Sequence, residues 1–172
     1  MKLQGKKIAI LVEDSYEDLE LWYPYYRLLE EGAEVKLIGP KVKTYMSKHG
    51  YPAKADYSAD EVKADDFQGI VIPGGYAPDK LRRYPKILDL VRGIHERDGV
   101  VASICHGPWV LASANILMDK QVTSVSAIKD DLINAGANYL DKEVVVDERL
   151  VTSRSPLDLP AFLPAIIKAL QN

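Results

Sequence analysis

The sequence predicts a doubly wound α/β fold: one domain over residues 1–172, with a mostly parallel sheet and helices on both faces. Three observations predict it. Apolar runs of the kind buried on both faces of a parallel sheet recur at 8–12, 33–38, 67–73 and 100–104. Stretches with helical spacing separate them, and alternation of this type builds layered α/β domains. The fourth run breaks off at small and polar residues and resumes as a second apolar stretch, as a buried strand turning sharply into a helix does.

In chain order, Ile8-Ala9-Ile10-Leu11-Val12 is the first strand, followed by the acidic loop Glu13-Asp14-Ser15-Tyr16-Glu17-Asp18. Leu19, Trp22, Tyr26 and Leu29 then fall at helical spacing until Gly32 stops the helix, with Pro24 expected to kink it. Trp22, Tyr23, Tyr25 and Tyr26 exceed what one buried stripe can use, so some are expected to face solvent or another subunit. Residues 42–56 carry turn signals and suggest a small hairpin around His49-Gly50. Ser58-Ala59-Asp60-Glu61 has the form of a capping box opening a short helix. The strand at 67–73 ends at Gly74-Gly75, and the positions from Leu81 through Ile94 predict one helix after Pro78. Beyond the fourth strand come a helix to Leu117, a strand at 121–125, a helix at 128–135 ending at Gly136, and a hairpin formed by 144–146 and 150–152. A helix from about 156 to 170, bent at Pro164, closes the chain.

The chemistry converges on Ser103-Ile104-Cys105-His106-Gly107, which repeats the pattern of a nucleophile elbow with sulfur in place of hydroxyl. Cys105 is the chain's only cysteine. A lone cysteine otherwise reads as a small core hydrophobe. At the start of a helix, unpaired N–H groups and the helix dipole stabilise thiolate, so the thiol is expected to ionise more easily than usual. The same N–H groups suit an oxyanion or an oxidised sulfur. Ligands of such folds bind at the carboxyl ends of the strands, where Glu17, Gly75 and Cys105 each follow a strand.

Composition narrows the alternatives. Lys and Arg total 22 against 25 Asp and Glu, with no basic cluster, so no nucleic acid and no membrane surface is expected as a partner. No run approaches a membrane span and the first residues show no leader, so a cytoplasmic location is expected. The three histidines and one cysteine show no zinc spacing, and Gly74-Gly75 lacks the third glycine of a dinucleotide fingerprint, so no metal and no cofactor are expected. His49 and His95 read as structural, Lys129-Asp130-Asp131 as a solvated helix face, and Arg154 as a structural ion-pair partner.

Glu17-Asp18 ahead of Tyr23-Pro24, Lys48-His49-Gly50, Pro73-Gly74-Gly75, 102–108, 131–137, 143–147 and 151–156 together resemble the ThiJ/PfpI family across nearly the whole chain. The family includes PfpI-type intracellular proteases and stress proteins assigned as glyoxalases or protein deglycases. The resemblance implies a flavodoxin-like sheet, as in class I glutamine amidotransferases, with Cys105 as nucleophile in a strained backbone conformation. It implies Glu17 as the carboxyl hydrogen-bonded to the sulfur, and the backbone N–H groups of Gly75 and His106 as the oxyanion hole. In protease-type members the histidine is grouped with an acid from a neighbouring subunit. That acid corresponds to Asp79, one methylene shorter than the glutamate of many members, so a homo-oligomer, dimer or hexamer, is implied. Val125 stands where some protease-type members have tyrosine, and Trp109 where glutamine is common.

The residues themselves add two expectations. Consecutive side chains at an elbow seldom meet, so His106 is not expected to reach the sulfur as a papain-like base. Glu17 and Cys105 are expected to share a proton. Two classes of function follow. The first is a cysteine-dependent enzyme acting on small reactive aldehydes such as methylglyoxal or glyoxal, or on their early protein adducts, with an ATP-independent peptidase active as an oligomer as the alternative. The second is a non-enzymatic redox sensor or stress chaperone that works by Cys105 oxidation. A glutamine amidotransferase would need a histidine and glutamate pair downstream of the elbow, and none is evident.

Overall fold

The computed structural model describes all residues, 1–172. Its first strand, β1 (Lys7–Leu11), is buried along nearly all its length and leads into helix α1 (Asp18–Glu30), which runs through Pro24. Strand β2 (Glu34–Gly39) is followed by the hairpin β3 (Thr44–Met46) and β4 (Pro52–Lys54), a separate two-stranded antiparallel sheet turning at His49-Gly50 as expected. The short strand β5 (Tyr57–Ser58) precedes β6 (Gly69–Ile72). Helices α2 (Ala77–Leu81) and α3 (Pro85–Glu96) lead to β7 (Val100–Ile104), then α4 (Pro108–Ser113), β8 (Gln121–Val122), α5 (Lys129–Asn134) and β9 (Asn138–Tyr139). Strands β10 (Val144–Asp147) and β11 (Leu150–Ser153) form the expected hairpin, and α6 (Leu159–Gln171) ends the chain, passing through Pro164.

Seven strands form one sheet in the order β10-β11-β7-β6-β1-β2-β5, parallel throughout except for β10 against β11. Helices α1 and α6 pack together on one face, and α2, α3 and α4 on the other. The predicted doubly wound, mostly parallel α/β class is the fold observed. The order reverses between β1 and β6, so the segments following those two strands and the neighbouring β7 open onto one edge of the sheet. No helix is long and apolar enough to cross a membrane.

Four elements differ from expectation. The 78–94 stretch is two helices, because Pro85 forces the preceding Tyr84 into extended backbone (φ −100°, ψ 109°). Glu61 does accept from the N–H and hydroxyl of Ser58, at 2.8 and 2.9 Å, but the pair closes a turn, and the nearby 3₁₀ turn begins at Ala64. Helix α4 stops at Ser113, with Asn115 in the left-handed region just beyond it. The 121–125 strand is only two residues long and pairs with β9 outside the main sheet.

The phase of α1 also differs. Its buried positions are Glu20, Leu21, Pro24 and Leu28, whereas Leu19, Tyr26 and Leu29 are exposed. A charged residue therefore opens the stripe that packs on the sheet. The surplus aromatics form a cluster on the other side, with Trp22 at 5.9 Å from Tyr26 and 5.7 Å from Tyr51.

Candidate active site

Strand β7 delivers Cys105 to the sheet edge. The chain turns there with Cys105 at φ 61°, a left-handed conformation that a side-chain-bearing residue adopts only under constraint, as the expected strained elbow requires. Two hydrogen bonds supply the constraint: the Cys105 N–H donates to Ser153 at the end of β11, and its carbonyl accepts from Val125, each at 3.1 Å.

From β6, Gly74 approaches the elbow, and Gly75 the loop that leads into α1, more closely than any side chain permits. A Cβ on Gly74 would lie 2.8 Å from the Cys105 Cβ and 2.5 Å from Glu20 Oε2. Gly75 adopts φ 77° and, with His106, directs its N–H toward the sulfur. The two amides expected to form an oxyanion hole thus converge on Cys105.

The carboxyl beside the sulfur is Glu20, and this corrects the assignment to Glu17. Glu20 is completely buried, its Oε2 accepts the Gly74 N–H at 2.7 Å, and its charge bears directly on the Cys105 thiol. Glu17 is half-buried at the N-cap of α1, where its side chain accepts the Glu20 N–H at 3.0 Å. The reason is helical geometry. Position 17 sits at the cap, where the side chain folds back onto its own first turn, whereas position 20 begins the stripe that continues at Pro24 and Leu28. Glu17 still lines the cavity in front of the sulfur.

His106 is also placed differently from expectation. Its Nδ1 lies 3.4 Å from the Cys105 sulfur, because the left-handed turn at Cys105 swings consecutive side chains to the same side. Burial, and then the charge of Lys48, hold the imidazole below its ordinary range, so it is neutral at pH 7. Its ring packs at 5.2 Å on Trp109, whose indole N–H donates to Asp131 at 2.7 Å. Asp131, read as solvated, is therefore part of the histidine's support.

Electrostatics reverse the expected easy ionisation of the thiol. Burial and the facing Glu20 carboxylate push Cys105 up to about 12, against the lowering effect of the His106 and Gly75 amides. Burial likewise pushes Glu20 up to about 8, against the Gly74 hydrogen bond. Two buried acids side by side cannot both ionise readily, so at neutral pH the pair retains protons that ordinary carboxyl and thiol groups would have lost, or would lose earlier.

Asp79 lies on α2 with its side chain about half exposed and paired to Arg83 on the same helix at 2.7 Å; within this chain it does not meet His106. Arg154 holds the buried Asp158 through two nitrogens, at 2.9 and 3.1 Å, and reaches Asp141 at 2.9 Å, a structural role as read from the sequence. His49 Nδ1 lies 2.7 Å from one oxygen of the Asp18 carboxylate, whose other oxygen accepts the Ser47 hydroxyl at 2.6 Å. Glu17, Asp18 and His49 bring ligand-type atoms within 4.8 Å of one another and are the residues that could hold a metal ion. The bonds of Asp18 to His49 and Ser47, and the place of Glu17 as the cap of α1, already account for that proximity.

The space in front of the sulfur is a cavity of about 190 Å³ lined by Glu17, Glu20, Lys48, Gly75, Tyr76, Cys105, His106 and Pro156. Lys48 and Tyr76 escaped the sequence reading. The KHG triplet was noted only as part of the resemblance, and its place opposite the elbow depends on how the β3–β4 hairpin folds back over the α1 cap.

Comparison with known proteins places this arrangement. The profile of the DJ-1/PfpI family matches residues 6–169. Deglycase PfpI of Pyrococcus furiosus is 44% identical over 165 residues, covering 96% of this chain and 99% of its own length. YraA of Bacillus subtilis, provisionally named a cysteine protease, is 44% identical over 159 residues, covering 92% and 94% of the two chains. Among solved structures, an Anabaena variabilis protein with DJ-1/ThiJ/PfpI-like and ferritin-like domains superposes with a TM-score of 0.95 at 43% identity. The match covers 96% of this chain and 48% of that one, so this chain spans about half of the two-domain protein.

Proposed function

The chain belongs to the DJ-1/PfpI family, and from that premise we propose that it is a cysteine-dependent enzyme acting on small reactive aldehydes, glyoxal and methylglyoxal, or on the early adducts they form with proteins. The single observation that carries this reading is the size and lining of the cavity. At about 190 Å³ it falls below the range of drug-sized pockets and suits a molecule of a few heavy atoms, with sulfur, two amide donors and a buried carboxyl at its end. The deglycase name of the Pyrococcus furiosus relative supports the same reading.

The chemistry is redox-neutral overall. The Cys105 sulfur adds to the aldehyde carbon, the carbonyl π pair moves to oxygen, and the thiol proton passes through Glu20 to that oxygen, giving a hemithioacetal. The Gly75 and His106 amides face the developing oxyanion. With methylglyoxal, transfer of the proton on the former aldehyde carbon to the adjacent carbonyl carbon, through an enediol, gives a thioester. Water hydrolyses it to lactate and restores the thiol. Neutral His106, 3.4 Å from the sulfur, is placed to move these protons. No step needs a bound cofactor. The enzyme is proposed to work in the cytoplasm; its proposed assembly as a homo-oligomer is supported by the exposed Leu19, Tyr23 and Tyr26 on α1.

The test is lactate formation from methylglyoxal by the purified protein. Turnover that disappears in Cys105→Ala supports the reading, and wild-type protein without turnover sinks it. The peptidase alternative draws on the name of YraA and needs Asp79 of a second copy near His106. It predicts cleavage of peptide amides that stops when the assembly is dissociated.

A further inference from the structure

We propose that Lys48 makes the far side of the Cys105 cavity a carboxylate subsite, so that the cavity binds small compounds carrying a carboxylate within a few bonds of the atom that meets the sulfur. The inference deepens the aldehyde reading, on which it rests for the identity of the reacting carbon. The observation is the juxtaposition of one unpaired cation with the nucleophile. Lys48 is the only lysine or arginine lining the cavity. Its ammonium group is bonded to no carboxylate, and its nearest described partner is the face of Tyr76, 5.6 Å from the ring centroid.

The remainder of the chain fixes this arrangement. The Lys48 N–H donates to the Tyr16 carbonyl at 2.9 Å, and Ser47 ties the same turn to the α1 cap through Asp18 at 2.6 Å, so the backbone that carries Lys48 is anchored beside the elbow. Tyr16 in turn bridges to Gly75. The other titratable groups on the cavity wall are Glu17, Glu20, Tyr76, Cys105 and His106. Glu17 is engaged as the cap of α1, Glu20 retains its proton near neutral pH and His106 is uncharged there, which leaves Lys48 as the cation open to an incoming anion. The aldehyde chemistry ends in a carboxylate on the carbon that leaves the sulfur, and the released hydroxy acid can turn that charge to the same ammonium. The ligand chemistry is thus a carboxylate, from either a carbonyl compound or a hydroxy-acid product.

Alkylation of Cys105 reads the subsite without any turnover. Iodoacetamide and iodoacetate differ in one charge at nearly the same size, and each forms the sulfur–carbon bond with loss of iodide. The ratio of the iodoacetate to the iodoacetamide rate is expected to exceed that of free cysteine, to fall roughly tenfold in Lys48→Met, to survive in Lys48→Arg, and to shrink in high salt. Lys48 is exposed, so neither variant threatens the fold. A ratio unchanged in Lys48→Met overturns the subsite. Protection of Cys105 from iodoacetamide by glycolate assigns the subsite to product, and protection by glyoxylate alone assigns it to the carbonyl ligand. Protection by neither overturns the proposal. Loss of methylglyoxal turnover alone would overturn the aldehyde reading and leave the alkylation ratio standing.

Discussion

The carboxyl of Glu20 and the amide of Gly74, 54 residues apart in the chain, meet at 2.7 Å directly beside the elbow that carries Cys105. Three segments close on one another there: the first turn of α1, the end of β6 and the turn after β7. A fault in any one is felt by the other two.

Gly74→Ala is the sharpest probe of that closure. The new methyl would meet Glu20 Oε2 at 2.5 Å, the Cys105 Cβ at 2.8 Å and the His106 nitrogen at 3.1 Å, two of them on inflexible neighbours. Overpacking of this kind costs about 1–3 kcal/mol. Urea denaturation is expected to show that loss, together with altered Cys105 alkylation. A variant of wild-type stability with unchanged thiol reactivity would show the contact to be looser than described.

Glu20 makes stability depend on pH. Its folded value of about 8 lies above the 4.5 of an unperturbed glutamate, so the folded chain holds the proton more tightly than the unfolded chain. Its contribution is complete below pH 4.5 and declines as pH rises through 8, by on the order of 3–5 kcal/mol. Cys105 adds no slope below its unfolded value of 9.0, and its contribution is lost only as pH rises from there toward about 12. Denaturation midpoints from pH 5 to 8.5 should slope downward in the wild type and flatten in Glu20→Gln. Equal slopes in the two proteins would contradict a raised Glu20.

The same variant tests the sulfur. Glutamine retains the size of Glu20 and removes the negative charge that, after burial, holds the thiol near 12. The pH midpoint of iodoacetamide alkylation is therefore expected to fall in Glu20→Gln. In Glu17→Gln, whose side chain caps α1, it should move far less. The opposite ranking would restore Glu17 as the sulfur's partner.

Trp109 offers a view of His106. The two rings lie 5.2 Å apart, and a protonated imidazole quenches indole emission. In a Trp22→Phe background, which leaves Trp109 as the only tryptophan, the fluorescence transition on acidification should have its midpoint below the ordinary 6.5 of histidine, because burial disfavours the imidazolium. A midpoint at or above 6.5 would contradict a neutral His106 at the working pH.

Much of this was legible in the sequence, and the part that was not has a physical cause. Strand runs such as Ile8-Ala9-Ile10-Leu11 and the small residues around Cys105 carry their information locally, so the fold class, the elbow and Gly75 could be read directly. The acidic carboxyl could not. The run from Glu13 to Glu20 offers several candidates, and the more conspicuous helical spacing, Leu19-Trp22-Tyr26-Leu29, marks the aromatic face rather than the buried one. A sharper signal was present in Glu20, Pro24 and Leu28, a four-residue repeat in which a carboxyl occupies an apolar position. The 3.4 Å approach of His106 to the sulfur depends on one backbone angle at Cys105, and the position of Lys48 depends on a long-range fold-back. Neither has a local pattern.

The β3–β4 hairpin belongs to no sheet but its own; Tyr45 and Ala53 are the buried side chains of its strands, and Ser47 and Lys48 tie its turn to Asp18 and Tyr16. Exposed side chains on that turn, Lys48 among them, can therefore change during evolution, or be grafted from a relative, without disturbing the layers that hold the domain together. Whatever the sulfur encounters can be retuned from that outlying edge, while the reactive centre itself stays fixed.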